Sequence, residues 1–218
     1  LLNTGAREII GNGDVKAVKL DSGKVLGCSL VVVGKGVSPN IRLLRDSGIE
    51  TDKAVLVDSN MRASIDGVYA AGDVAQAYDI VEDAPRVNAL WPCAVEQGLC
   101  AGENIAGAGR EYRGSLAMNS VGFFGLSLVS MGRFNPRGDG DEAVSFINKE
   151  KATYKKLVFC GDRLVGGLFV GNIAGSGLYL RLIREKADIS RIKDDLLDEN
   201  ISYARIRGLV EDKEKVYL

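Results

Sequence analysis

An α/β arrangement followed by an α+β one is predicted for this chain, on three observations. The unbroken apolar run Leu30-Val31-Val32-Val33, set between Gly27 and Gly34, has the pattern of a strand buried on both faces of a parallel sheet. A second β section, through Ala54–Val57 and Val68–Ala71, precedes a helix at about 91–106, with Pro92 near its first turn and Gly107 beyond its end. From residue 112 onward, strand patterns come first and helix patterns follow. With 218 residues, 46% of them hydrophobic, the chain can bury one large core or two modest ones.

The elements follow in order. The opening Leu1-Leu2-Asn3-Thr4-Gly5 has no methionine and no evident cap, and reads as though it starts inside a domain. Val15, Ala17, Val18 and Leu20 alternate with Lys16 and Lys19; Asp21-Ser22-Gly23 then turns the chain and Lys24-Val25-Leu26 returns, a strand meander. Residues 41–47, after Pro39, read as a short helix. Strands are expected at roughly 117–132, 143–149, 153–160 and 163–170, with a loop at Phe134–Asp141 and a hairpin at Cys160-Gly161-Asp162-Arg163. Helices are expected at 178–185 and 189–197. No internal repeat is visible, and the boundaries near 40 and 110 give three parts: 1–40, 41–110 and 111–218.

Composition removes several function classes. Lys and Arg number 28 against 29 Asp and Glu, a net charge of −1, so no basic excess exists to neutralise phosphates and no nucleic-acid partner is expected. The cysteines at 28, 93, 100 and 160 form no CxxC pair, and the chain has no histidine, which argues against a metal cluster and a disulfide framework. Free thiols fit a reducing cytoplasm. The longest apolar stretch, Leu116 to Met131, is interrupted by Asn119, Ser120, Ser127 and Ser130, too short and polar to span a bilayer.

The segment Asp66-Gly67-Val68-Tyr69-Ala70-Ala71-Gly72-Asp73 carries the sharpest chemical signal. It reads as a buried strand delivering the Asp73 carboxylate at its C-terminal end, where ligands of open α/β sheets bind. Ala70, Ala71 and Gly72 are small enough for a ligand to approach the backbone. The carboxylate can accept hydrogen bonds from sugar-alcohol or ribose hydroxyls, each contributing roughly 1.5–3 kcal/mol.

This segment resembles the second FAD motif of the pyridine nucleotide-disulfide oxidoreductases, flavoproteins with two dinucleotide-binding folds. The resemblance implies that Asp73 holds the ribityl chain of FAD, with Gly72 beside it. Met61-Arg62-Ala63-Ser64 is similar to the family pattern too, with Ala63 where Thr is usual and Ser64 as the replacement contact. Leu30–Asn40 resembles the strand that closes the NAD(P)-binding domain, with Gly34 where the family favours Ala. Trp91-Pro92-Cys93-Ala94, followed by Val95-Glu96-Gln97-Gly98, resembles the helix whose N-terminus faces the pyrimidine edge of the flavin. A helix N-terminus stabilises negative charge by roughly 0.3–1 kcal/mol. At about 30 mV per 1.4 kcal/mol, that moves a two-electron potential by only about 20 mV. Trp91 reads equally well as a core anchor and as a flavin contact. Cys93, in the first helical turn, is expected to have a lowered thiol pKa, although a small buried residue is its favoured reading. The absence of histidine excludes the His–Glu pair of glutathione-reductase-like members.

From Tyr112 on, Phe123-Phe124-Gly125-Leu126, Tyr154–Phe159 and Leu164–Asn172 resemble the C-terminal domain of the rubredoxin-reductase, NADH-oxidase and nitrite-reductase-like branch. The fold implied is the remnant of two dinucleotide-binding domains followed by a small α+β domain. Hydride transfer from NAD(P)H to FAD and on to oxygen, a disulfide or a small redox protein is the implied activity. Neither glycine fingerprint is present; Gly138-Asp139-Gly140-Asp141-Glu142-Ala143 matches the pattern in letters, but two aspartates in the loop would repel a pyrophosphate. The chain alone is therefore expected to hold neither cofactor and to be inactive, with the N-terminal FAD/NAD(P) region of the same protein as its partner, and a homodimer as its assembly. The competing reading is a non-catalytic dimerisation or protein-interaction module. An upstream coding region with two fingerprints separates the two.

Overall fold

The computed structural model describes residues 1–198, 201 and 204. These fall into two units, Leu1–Ser38 and Pro39–Leu218. In the first, β1 (Ala6–Asn12), β2 (Asp14–Leu20) and β3 (Val25–Gly27) form an antiparallel sheet in that order. The predicted turn closes it: the Leu20 N–H donates to the Lys24 carbonyl at 2.8 Å, and Gly23 takes a φ of +81°. The run at 30–33 corrects the reading above. It forms no strand, and Leu30, Val32 and Val33 are 74%, 85% and 72% exposed. A parallel strand takes its hydrogen bonds from neighbours, and no strand among the described residues pairs with this run.

In the second unit the helix expected at 41–47 is a single 3₁₀ turn, Arg42–Leu44, because Arg45 is extended and Asp46 has φ +60°. Next come β4 (Val55–Leu56), β5 (Ala75–Asp79) and β6 (Ala84–Arg86); β4 runs parallel to β5 and β6 antiparallel to it. Asp73 does not end a strand at 68–71, which is a second correction. Tyr69 makes only an isolated bridge to Arg62, and Gly72, at φ +77°, opens a 3₁₀ turn through Val74. The strand begins after the aspartate. Helix α1 (Trp91–Ile105) buries Cys93, Gln97, Cys100, Ala101 and Asn104, the spacing of one helical face. Cys100 and Ala101 pack with Met61, Ala75, Ala77 and Tyr112 in a small core. Gly107, at φ +87°, donates its N–H to the Asn104 carbonyl and stops the helix as predicted.

The remaining strands are β7 (Met118–Phe123), β8 (Leu126–Gly132), β9 (Asp141–Asn148), β10 (Thr153–Cys160) and β11 (Arg163–Val170). They form an antiparallel sheet in the order β7-β8-β11-β10-β9, with the hairpin at Cys160–Arg163 as predicted. Helix α2 (Ser176–Arg184) lies on β11 and β8. Tyr179, Leu182 and Ile183 join Leu157, Phe159, Leu164 and Phe169 in the larger core, each large apolar side chain contributing roughly 1.5–3 kcal/mol on burial. Where a helix was expected at 189–197 there is a 3₁₀ turn, Lys193–Leu197. The Asp188 carboxylate accepts the Ser190 N–H at 2.9 Å, a local bond that competes with helix formation. Gly138-Asp139-Gly140 is a turn that opens β9, not a helix. Architecturally, then, the chain combines mixed α/β sheets with an antiparallel α+β layer and few helices. Among the described residues no helix is long and apolar enough to cross a membrane.

Candidate functional site

The Gly72–Asp73 turn and the start of α1 come together through side chains. Ala71 is extended (φ −149°, ψ 154°), Gly72 is left-handed, and Asp73 is exposed. A Cβ on Gly72 would meet the Ala94 Cβ at 3.4 Å, so the turn rests against the first turn of the helix. The Gly72 N–H donates to Gln97 Oε1 at 2.8 Å, which fixes the turn one helical step further along.

At the helix start, Leu90 is extended and no side chain caps the terminus. Pro92 has no N–H, and Ala94 N–H already donates to the Leu90 carbonyl at 2.9 Å. The first-turn donors are thus left for an external acceptor. Approach to this terminus is set by a buried carboxylate: Asp79 Oδ1 accepts the N–H groups of Val81 and Glu82 at 2.8 and 2.9 Å. Its Oδ2 accepts the Asn88 side-chain amide at 2.8 Å, two residues ahead of Leu90.

Gly72, Asp73 and Ala94 lie at this junction. Trp91 is 84% exposed, so it anchors no core among the described residues. Cys93 is buried, which agrees with its favoured reading as a small buried residue, and what is corrected is the lowered thiol pKa. Burial pushes its pKa up, and the bond with Ser115 only partly opposes that. The Ser64 hydroxyl already accepts the Glu50 N–H at 2.8 Å. Gln97, Asp79 and Asn88 escaped the sequence reading. Gln97 follows Cys93 by four residues on the same face, the one spacing that could have flagged it; the contacts of Asp79 and Asn88 are visible only in space.

An exposed carboxylate with no hydrogen-bond partner among the described residues, next to an uncapped helix terminus and a glycine that lets a ligand reach the backbone, fits the ribityl chain and ring edge of a flavin. No glycine-rich phosphate loop accompanies these groups among the described residues. Gly72, Asp73 and residues 91–94 are the ones that would hold the cofactor.

Comparison with known proteins bears on this geometry. Residues 1–98 match the family model of the pyridine nucleotide-disulphide oxidoreductases, and residues 118–187 that of the rubredoxin NAD+ reductase C-terminal domain. The NADH-dependent phenylglyoxylate dehydrogenase subunit epsilon of Aromatoleum evansii is 29% identical over 189 residues, 85% of this chain and 44% of that protein. The NAD(P)H nitrite reductase of Bacillus subtilis is 27% identical over 197 residues, 87% of this chain and 23% of that protein. A crystal structure of an FAD-dependent pyridine nucleotide-disulphide oxidoreductase from Desulfovibrio vulgaris superposes with a TM-score of 0.74 at 26% identity. It covers 95% of this chain and 55% of that one. The chain spans less than half the length of either relative.

Proposed function

We propose, from its likeness to the pyridine nucleotide-disulphide oxidoreductases over residues 1–98 and to the rubredoxin NAD+ reductase C-terminal domain over residues 118–187, that this chain forms the ribityl-and-ring side of the flavin site in an NAD(P)H-dependent flavoprotein oxidoreductase. Bound FAD would supply the hydride chemistry between nicotinamide and acceptor. The protein's part is placement: Asp73 accepts a ribityl hydroxyl, and the first turn of α1 presents backbone N–H groups to the ring edge that gathers negative charge. The Gly72 N–H bond to Gln97 Oε1 carries this reading, because it holds both elements to one spot.

The match over 118–187 to a rubredoxin reductase domain favours a small redox protein as electron acceptor, with oxygen or a disulfide as the alternatives. The part from about residue 111 packs on the flavin domain and contributes to a homodimer, which sedimentation of the flavoprotein would reveal. Four free thiols suit a reducing compartment, the cytoplasm.

In the full-length flavoprotein, Asp73→Ala should lose FAD on desalting where the parent keeps it, since the exchanged bond is worth roughly 1.5–3 kcal/mol. Full flavin retention by a folded Asp73→Ala protein would sink the reading. Taken alone, the chain offers a few kcal/mol of contacts against an association cost of about 4 kcal/mol or more. It should therefore emerge from the same column colourless and without NAD(P)H oxidation activity; a yellow eluate with one flavin per chain would contradict this.

A further inference from the structure

Gln97 is only 1% exposed, and both ends of its carboxamide are engaged: Oε1 accepts the Gly72 N–H at 2.8 Å and Nε2 donates to the Tyr112 hydroxyl at 3.4 Å. Tyr112 is itself buried, and its backbone N–H donates to the Ser59 carbonyl at 2.6 Å, so the far side of the carboxamide has a fixed partner. A buried amide oxygen can be satisfied in many ways. This one is spent on the N–H of Gly72, the residue before Asp73, which is left-handed and has no side chain of its own to hold it.

We infer that Gln97 is a positioning residue: through the Gly72 amide it sets where the Asp73 carboxylate stands relative to the start of α1. The inference rests on the flavin reading above. Without the bond, the Gly72 N–H would be an unmet donor, the turn would swing to find water, and the carboxylate would move with it. Gln97 lies one helical turn beyond Cys93 and Ala94, so a single carboxamide governs the spacing between the carboxylate and the helix terminus.

A double-mutant cycle in the full-length flavoprotein separates positioning from simple packing. The flavin-free protein is titrated with FAD, alone and as Gln97→Met, Asp73→Ala and the pair, with the fold of each checked by circular dichroism. Gln97→Met, of similar length but without the acceptor, should weaken FAD binding about tenfold. In the Asp73→Ala background the same change should have almost no further effect, because the group it positions is gone. If Gln97→Met does not fold, Gln97→Asn, polar but one methylene short of Gly72, takes its place with the same expected loss and the same non-additivity. Additive losses would assign Gln97 to packing and overturn the inference, as would a folded Gln97 variant that binds FAD like the parent. Unchanged binding by Asp73→Ala alone would instead remove the flavin reading itself, and the inference with it.

Discussion

Replacing Gly72 by alanine tests the turn on which the site is built. Gly72 sits at φ +77°, where an L-residue is disfavoured by roughly 1–2 kcal/mol. The new methyl would lie 3.4 Å from the Ala94 Cβ and 3.9 Å from its Cα, near ordinary contact, so sterics add little. Alanine also narrows the unfolded ensemble, which favours folding by roughly 0.4–1 kcal/mol. The net expectation is a loss of about 1 kcal/mol. Gly98, exposed on α1 with nothing within 4 Å of a built Cβ, is the control. Alanine there should raise stability by roughly 0.5–1 kcal/mol, as glycine weakens a helix interior. Urea denaturation of both variants should thus displace the midpoint in opposite directions. In the flavoprotein only Gly72→Ala should weaken FAD binding. A Gly72→Ala chain as stable as the parent, beside a stabilised Gly98→Ala, would refute the claim that the turn needs a left-handed residue.

Three further outcomes are expected. A Cβ on Gly166 of β11 would lie 1.5 Å from the Arg133 carbonyl oxygen, so Gly166→Ala must push two backbones apart and should lose about 3 kcal/mol or more in the same assay, a neutral result refuting the close approach. Burial opposes ionisation of Asp141, but the Arg137 backbone N–H and the Arg133 guanidinium outweigh it and hold the carboxyl below its usual value. With the folded pKa depressed, its stabilisation is present above the unfolded value near 3.9 and lost as pH falls through the folded one; the stability gap between the parent and Asp141→Asn should therefore close below about pH 4, and a gap constant with pH would contradict the assignment. Cys160 is exposed whereas burial raises the thiols of Cys93 and Cys100, so brief alkylation of the native chain should modify Cys160 first by peptide mass spectrometry, and equal labelling of Cys93 would revive an activated thiol.

Legibility from the amino acids followed the range of the interactions. The hairpin at Cys160–Arg163 and both ends of α1 were read correctly because turn chemistry, Pro92 and Gly107 act within a few residues. Apolar patterning marked the strand segments of the antiparallel sheet from Met118 to Val170, but the single stretch expected at 117–132 is two strands, β7 and β8, turned at Phe124-Gly125 where both residues have positive φ. Failures came where a segment's state depends on something distant. Leu30–Val33 has the composition of a central strand, but a pattern states what a segment could bury and not whether a neighbour is there to cover it. At Cys93 two short-range rules conflicted, the helix terminus lowering a thiol pKa and burial raising it, and only packing decides between them. One failure was local instead: the helix expected at 189–197 yielded to a bond from the Asp188 side chain to the Ser190 N–H, two residues on, that propensity averages do not register.

The candidate site shows the same division more sharply. Its motif letters, Gly72-Asp73 and Trp91-Pro92-Cys93-Ala94, carry the resemblance to the family, yet none of them holds the site together. Gly72 is tied by Gln97, twenty-five residues on, and the entry to α1 is tied by Asp79 through Asn88, whose amide also donates to the Ser115 hydroxyl at 3.0 Å. Ser115 in turn bridges β5: its N–H donates to the Tyr78 carbonyl at 3.1 Å, and its carbonyl accepts the Ile80 N–H at 2.9 Å. The groups proposed to face the cofactor are thus a carboxylate and backbone N–H atoms, whose chemistry is common to many chains. Their placement comes from the buried Gln97 amide, the half-buried Asn88 amide and the buried Asp79 carboxylate. Losing a facing group removes one bond, whereas losing a tie releases a whole turn or helix start. A substitution at Gln97 or Asp79 should consequently damage cofactor binding while leaving every motif residue in place, which a reading confined to motifs would not anticipate.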